Sequence, residues 1–204
     1  QIFEASRLPK STTVLIAQHQ ESQTSPFVPY PIGDAVATIR REKPALVFAP
    51  HVETSAGLIL PDDYITALAA AAHEVGALMV LDCIASGAIW VDMRATGVDV
   101  LISAPQKGWS GSPCAGYVML SANGRAAVEA GTSTSFAMDL KKWLFIADEY
   151  EAGRAPYHAT MPTDALAHNA ALMRETEERG FDKLETAQFE LGERVRAVFA
   201  ARDF

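Results

Sequence analysis

The sequence predicts an α/β domain with a mainly parallel sheet sandwiched by helices. Three observations predict it: short apolar or β-branched runs without polar alternation, helical periodicity between them, and turns loaded with reactive side chains where the runs end.

Residues 12–17 (TTVLIA) form the first such run, and residues 34–42 follow as a capped helix that closes on Arg40, Arg41, Glu42 and Lys43. Residues 45–49 (ALVFA) are a second strand. After Pro61, the pair Asp62 and Asp63 is placed to cap a helix that carries Ile65, Leu68, Ala69 and Ala72 at helical spacing. Gly76 closes that helix. Residues 77–81 (ALMVL), 98–102 (VDVLI) and 115–120 (AGYVML) read as further strands. Strands that alternate with helices imply βαβ crossovers, hence parallel pairing. From Asn123 onward only helical periodicity remains, over residues 124–130, 139–151, 164–178 and 181–201, with Pro156 and Pro162 bracketing a loop. Gly180 breaks the last two helices apart.

The chain of 204 residues carries 17 Lys and Arg against 25 Asp and Glu, a net charge of −8 that argues against nucleic acid and against an anionic membrane surface. Hydrophobic residues at 49% are enough for a real core, and no uninterrupted apolar window reaches bilayer length. Only Cys83 and Cys114 are present, too few for a disulfide framework or a four-thiolate zinc site, and no His and Cys pair has zinc-ligand spacing. A reducing, cytoplasmic setting is expected. Gln1 in place of Met, an opening that reads as the middle of a helix, and a helical pattern that runs up to Phe204 together predict an internal piece of a longer chain, incomplete at both ends.

In open α/β sheets, ligands sit outside the carboxyl ends of the strands. Three predicted strands end in loaded segments there: residues 51–57 (HVETSAG), 82–87 (DCIASG) and 103–108 (SAPQKG). Singly, an Asp at a strand end is a turn former and a Lys in a Gly-rich loop is solvated. Together, an acid and an amine 25 residues apart at one sheet edge, with hydroxyls and tight turns, are what a pyridoxal phosphate site needs. Lysine alone can hold an aldehyde as an imine, and burial lowers its pKa towards a nucleophilic amine. The carboxylate keeps the pyridine nitrogen protonated, so that the ring accepts the electron pair left at a substrate α-carbon.

The runs HVETSAG (51–57), LDCIAS (81–86) and SAPQKGWSGSPCAGYVML (103–120) resemble, in order and spacing, the large domain of class V, fold type I aminotransferases. The alanine–glyoxylate and serine–pyruvate (serine–glyoxylate) group is the most similar. Residues 136–147 followed by YHATMP (157–162) resemble that group's later motif, so the resemblance covers residues 44–178. It implies that Lys107 holds the cofactor covalently and that Asp82 pairs with the pyridine nitrogen. Ile84 packs under a ring face, Thr54 stands near the ring oxygen with Ser55 beside it, and Gln106 touches the phosphate. Tyr157 and Thr160 reach the phosphate of a neighbouring subunit, so a homodimer with shared sites is implied. Residues 1–180 then form part of the cofactor-binding large domain, and residues 181–204 a helix leading towards a small one. The family's phosphate-binding helix N-terminus and stacking aromatic fall upstream of Gln1, and its substrate-carboxylate arginine beyond Phe204.

The expected activity is transfer of an amino group from a small amino acid of the alanine or serine type to a 2-oxo acid such as glyoxylate or pyruvate. Two rivals stand beside it. A cysteine desulfurase of the same fold would need a mobile thiol, for which Cys114 is the candidate against a small buried apolar role. A non-catalytic α/β module would have kept the sheet alone. His51 is either a ring-stacking or acid/base group or a structural histidine, and Trp90 and Trp109 either line a pocket or pack the core.

Overall fold

The computed structural model describes residues 6–19 and 25–202, so the expected helical opening and the last two residues lie outside the described part. Residues 12–17 form no ladder, contrary to expectation: Val14 and Ile16 are 66% and 71% exposed. Their β-branching suits a pleated, half-buried surface, and a strand forms only where a neighbouring strand supplies that surface. Instead, β1 (Gln18–His19) and β2 (Phe27–Val28) make a short antiparallel pair just beyond.

Helix α1 (Ile32–Glu42) starts ahead of Asp34, because the carbonyl of Pro31 accepts the Asp34 and Ala35 amides. Strand β3 (Leu46–Pro50) leads into a small hairpin of β4 (Val52–Glu53) and β5 (Leu58–Ile59) that the sequence reading did not foresee. Helix α2 (Asp62–Glu74) begins at Pro61, whose carbonyl takes the Tyr64 and Ile65 amides. Asp62 and Asp63 therefore occupy the first turn, where the helix dipole favours acids, and do not act as the cap. Gly76, at φ +77°, ends this helix as expected, its amide donating to the His73 carbonyl.

Strand β6 (Leu78–Asp82), the short helix α3 (Met93–Thr96), β7 (Val100–Ser103) and β8 (Tyr117–Leu120) complete the sheet, in the order β3-β6-β7-β8. The β3/β6 and β6/β7 pairs are parallel and β7/β8 is antiparallel. Helix-bearing crossovers fix the first two. Strand β8 runs the other way because residues 104–116 return from the carboxyl end of β7 without a helix, which starts β8 at the edge where β7 finished.

Ile65, Leu68, Ala69, Ala71 and Ala72 of α2 are buried with Met79 and Leu81 of β6 and with Ala35 and Ile39 of α1. On β3, Val47 and Ala49 share this core, while Leu46 and Phe48 on the other face are 53% and 40% exposed. The runs in β3 thus alternate more than their apolar composition predicts. The helical half follows the sequence reading closely: α4 (Ala122–Ala130), α5 (Leu140–Glu151), α6 (Thr163–Arg179) and α7 (Phe181–Ala200). Ser121 and Asp139 cap α4 and α5.

Candidate active site

The parallel strands bring three loops to one edge. In the ladder, Asp82 lies opposite Pro50 on β3 and Ile102 on β7. The Asp82 carbonyl accepts the His51 amide at 2.8 Å, and the Ile102 carbonyl accepts the Cys83 amide at 2.8 Å. The segments after β3, β6 and β7 therefore leave the sheet side by side, at the edge where open α/β sheets place their ligands.

The loops are locked to one another. His51 is buried, and its Nδ1 shares a 2.7 Å hydrogen bond with Ser86 Oγ; burial holds its ring below the usual imidazole pKa, with the charge of Asp62 opposing as the weaker influence. The hydrogen bond ties the first loop to the second, and His51 does not line the cavity that Lys107 lines. Between the second and third loops the backbone comes very close: a Cβ on Gly108 would lie 2.1 Å from the carbonyl oxygen of Gly87. The third loop is also tied to α6, where Asn169 accepts the Ser112 amide and donates to the Ser112 carbonyl and to Cys114 Sγ.

Asp82 Oδ1 accepts the Ile84 amide at 2.9 Å, which fixes the carboxylate and leaves Oδ2 with no hydrogen-bond partner among the described residues. Lys107 is exposed and, with Thr54, lines a cavity of about 590 Å³. Trp90 and Trp109 line it too, their rings 5.0 Å apart, and Trp90 also packs edge-on against Phe181. Ser55 lies beside Thr54, its Oγ donating to Glu53 Oε1 at 2.5 Å, and Gln106 sits exposed in the Lys107 turn. Asp82, Ile84, Ser55 and Gln106 are near this cavity in the chain without lining it. Tyr157, 77% exposed, contacts Thr160 at 3.3 Å through the hydroxyls, and neither lines the cavity.

Sequence reasoning missed the far wall. Arg179, Glu175 and Thr176 of α6 and Leu184 and Gln188 of α7 complete the cavity, with Arg179 paired to Glu175. Nothing local marks these positions, since polar residues on helices are ordinarily solvated. Neither cysteine lines the cavity, and burial pushes the Cys83 thiol up to about 11, away from a reactive thiolate.

Residues 29–202 match the family model described as aminotransferase class-V. The chain belongs to the class-V aminotransferases. Among curated relatives of this class-V chain, the 2-aminoethylphosphonate–pyruvate transaminase of Paraburkholderia phymatum is 38% identical over 120 residues, covering 57% of this chain and 30% of the relative. The Burkholderia mallei enzyme of the same name is 36% identical over 118 residues with the same coverage. The chain thus spans 30% of the length of the curated relatives it matches. Of solved structures, alanine–glyoxylate aminotransferase from Nostoc sp. superposes with a TM-score of 0.68 at 21% identity, covering 78% of this chain and 42% of that one. An aspartate aminotransferase from Thermus thermophilus gives 0.62 at 26% identity, with 78% and 43% covered. The class-V chain therefore has the fold-type-I α/β architecture that its sequence predicts. Among the described residues no helix is long and apolar enough to cross a membrane.

Proposed function

We propose that the protein containing this chain is a pyridoxal-phosphate-dependent transaminase that moves an amino group from a small amino acid of the alanine or serine type to a 2-oxo acid. The observation that carries this reading is that the loops bearing an amine and an acid leave neighbouring strands at one sheet edge. Lys107 lines a cavity with Thr54, and the Asp82 carboxylate is fixed at the end of β6, its Oδ2 without a hydrogen-bond partner among the described residues. The relatives named for pyruvate support pyruvate, beside glyoxylate, as the class of acceptor.

The residues fit the cofactor. Asp82 Oδ2 suits a protonated ring nitrogen, and the Gly87 and Gly108 backbones pack without side chains, which lets the acid and amine loops run close together. When bound, pyridoxal phosphate supplies an electron sink for bonds broken at the substrate α-carbon. Asp82 holds the proton on the ring nitrogen, Ile84 packs against a ring face, and Thr54 and Ser55 supply hydroxyls on the ring-oxygen side. Gln106 binds phosphate. Lys107 Nζ would hold the cofactor, and as a free amine it would take the proton from the substrate α-carbon. General-base work of this kind contributes roughly 10²–10⁴-fold. We assign Tyr157 and Thr160 to the partner's site in a cytoplasmic homodimer, residues 1–180 to the large domain and 181–204 to a helix leading towards a small one.

Borohydride reduction of the full-length protein with pyridoxal phosphate, followed by peptide mass mapping, is expected to leave a pyridoxyl tag on Lys107. Lys107→Ala is expected to lose alanine- or serine-dependent turnover with glyoxylate or pyruvate. A tag elsewhere or nowhere, or full activity in Lys107→Ala, overturns the reading; sulfide release from cysteine would make the protein a desulfurase.

A further inference from the structure

We infer that Gln188, on α7, is a positioning residue for the proposed reaction: its side-chain amide holds the 86–88 peptide segment in place, and through it the loop that carries Lys107. Three contacts converge on residues 86–88. Gln188 Oε1 accepts the Ala88 amide at 2.6 Å, and Gln188 Nε2 reaches the Ser86 carbonyl at 3.4 Å. One side chain thus spans both ends of the turn that follows Asp82. Between those bonds sits Gly87 at φ +64°, a backbone conformation that favours glycine, with the Gln188 amide lying directly over its Cα.

The second contact passes the constraint onward. The Gly87 carbonyl lies against Gly108, where a Cβ would come within 2.1 Å of its oxygen. Gly108 is the residue next to Lys107, so a shift of the Gly87 peptide towards the third loop has no free volume to absorb it. The third contact holds the turn from behind, since Ser86 Oγ is bonded to buried His51 at 2.7 Å. With His51 on one side and Gln188 on the other, the turn between the acid and the amine is clamped, and Gln188 is the part of the clamp that comes from beyond Gly180. It also lines the cavity that Lys107 lines.

The two bonds are unequal, and this separates positioning from mere packing. Glutamate at 188 keeps an acceptor for the Ala88 amide and loses the donor to the Ser86 carbonyl; alanine loses both. Hydrogen–deuterium exchange on the full-length protein without cofactor reads the clamp directly. For Gln188→Ala the Ala88 amide is expected to exchange about tenfold faster, as for a lost hydrogen bond, while Gln188→Glu stays near wild type. In the loaded protein, Gln188→Ala should lower kcat about tenfold with KM within about twofold, and Gln188→Glu should recover most of the rate. Unchanged Ala88 exchange and unchanged kcat in a folded Gln188→Ala overturn the inference, as does a Gln188→Glu that behaves like alanine. Should Gln188→Ala not fold, Gln188→Leu, which keeps the packing volume and loses both bonds, decides instead: faster Ala88 exchange than in wild type supports the clamp and unchanged exchange rejects it. The inference rests on the proposed transaminase reading, but the exchange result needs no cofactor. A wild type lacking the pyridoxyl tag would sink that reading while leaving the clamp intact.

Discussion

His51 and Ser86 are joined by a buried 2.7 Å hydrogen bond that ties the loop after β3 to the loop after β6. Burial keeps the His51 ring below its ordinary value of 6.5, so the folded protein refuses a proton that the unfolded chain accepts. Stability from this group is therefore whole above the unfolded pKa and is lost as pH falls below it. The melting temperature of the wild type is expected to drop between about pH 7.5 and about pH 5.5, and the drop should shrink in His51→Gln. Equal slopes in the two proteins would show that His51 is not the group responsible.

The contact between Gly108 and Gly87 gives a sharper steric forecast. A methyl at 108 would sit 2.1 Å from a carbonyl oxygen, whereas one at Gly116, in the same connection between β7 and β8, meets nothing within 4 Å. Gly108→Ala is expected to cost about 1–3 kcal/mol in denaturant unfolding, as overpacking does, and to weaken pyridoxal phosphate binding because the Lys107 turn must move. Gly116→Ala should change neither. Similar behaviour of the two variants would refute the close-packed loop interface.

The contrast between these sites explains what was legible in the sequence. That the segments bearing Thr54, Asp82 and Lys107 share one edge was legible because strand ends are marked by apolar runs, and the parallel order places those ends together. The helices after Asn123 were legible because their period is long and uninterrupted. Residues 12–17 were misread because β-branching reports a preference for a packed surface and cannot report whether that surface exists. Asp62 and Asp63 were misread as caps because a proline carbonyl can start a helix without any side-chain acceptor. Gln188 was invisible, since its role depends on a contact 100 residues away, with the Ala88 amide, and on a glycine whose positive φ appears only in the fold.

Asp99 anchors the end of the sheet remote from the cavity. Its buried carboxylate accepts the Met79 amide at 2.9 Å and Ser121 Oγ at 2.9 Å, and Oδ2 lies 2.7 Å from His73 Nε2. Burial pushes its pKa up, but the Met79 amide, the His73 ring and the Ser121 hydroxyl together outweigh that and hold it below the ordinary carboxylate value. Its stabilisation is present above the unfolded pKa and is lost as pH falls through the lower folded one. Asp99→Ala strands the Met79 amide and is expected to cost about 3 kcal/mol, with Asp99→Asn costing less because it keeps an acceptor. Denaturant titration at neutral pH checks this, and equal stability of Asp99→Ala and wild type would reject it.

Tyr157 supplies the last test, because a residue that completes a partner's site leaves a signature that one serving its own site does not. Its ring is 77% exposed, its hydroxyl contacts only Thr160 among the described residues, and Phe136 and Met138 are also open at 69% and 75%. If this face meets a second copy, subunits carrying Lys107→Ala and subunits carrying Tyr157→Ala are each impaired alone. Co-expressed, they form mixed dimers in which one site collects both defects and the other has none. Random pairing then restores about a quarter of wild-type turnover. If Tyr157 acts on its own chain, every site in the mixed dimer keeps one defect, and co-expression restores nothing.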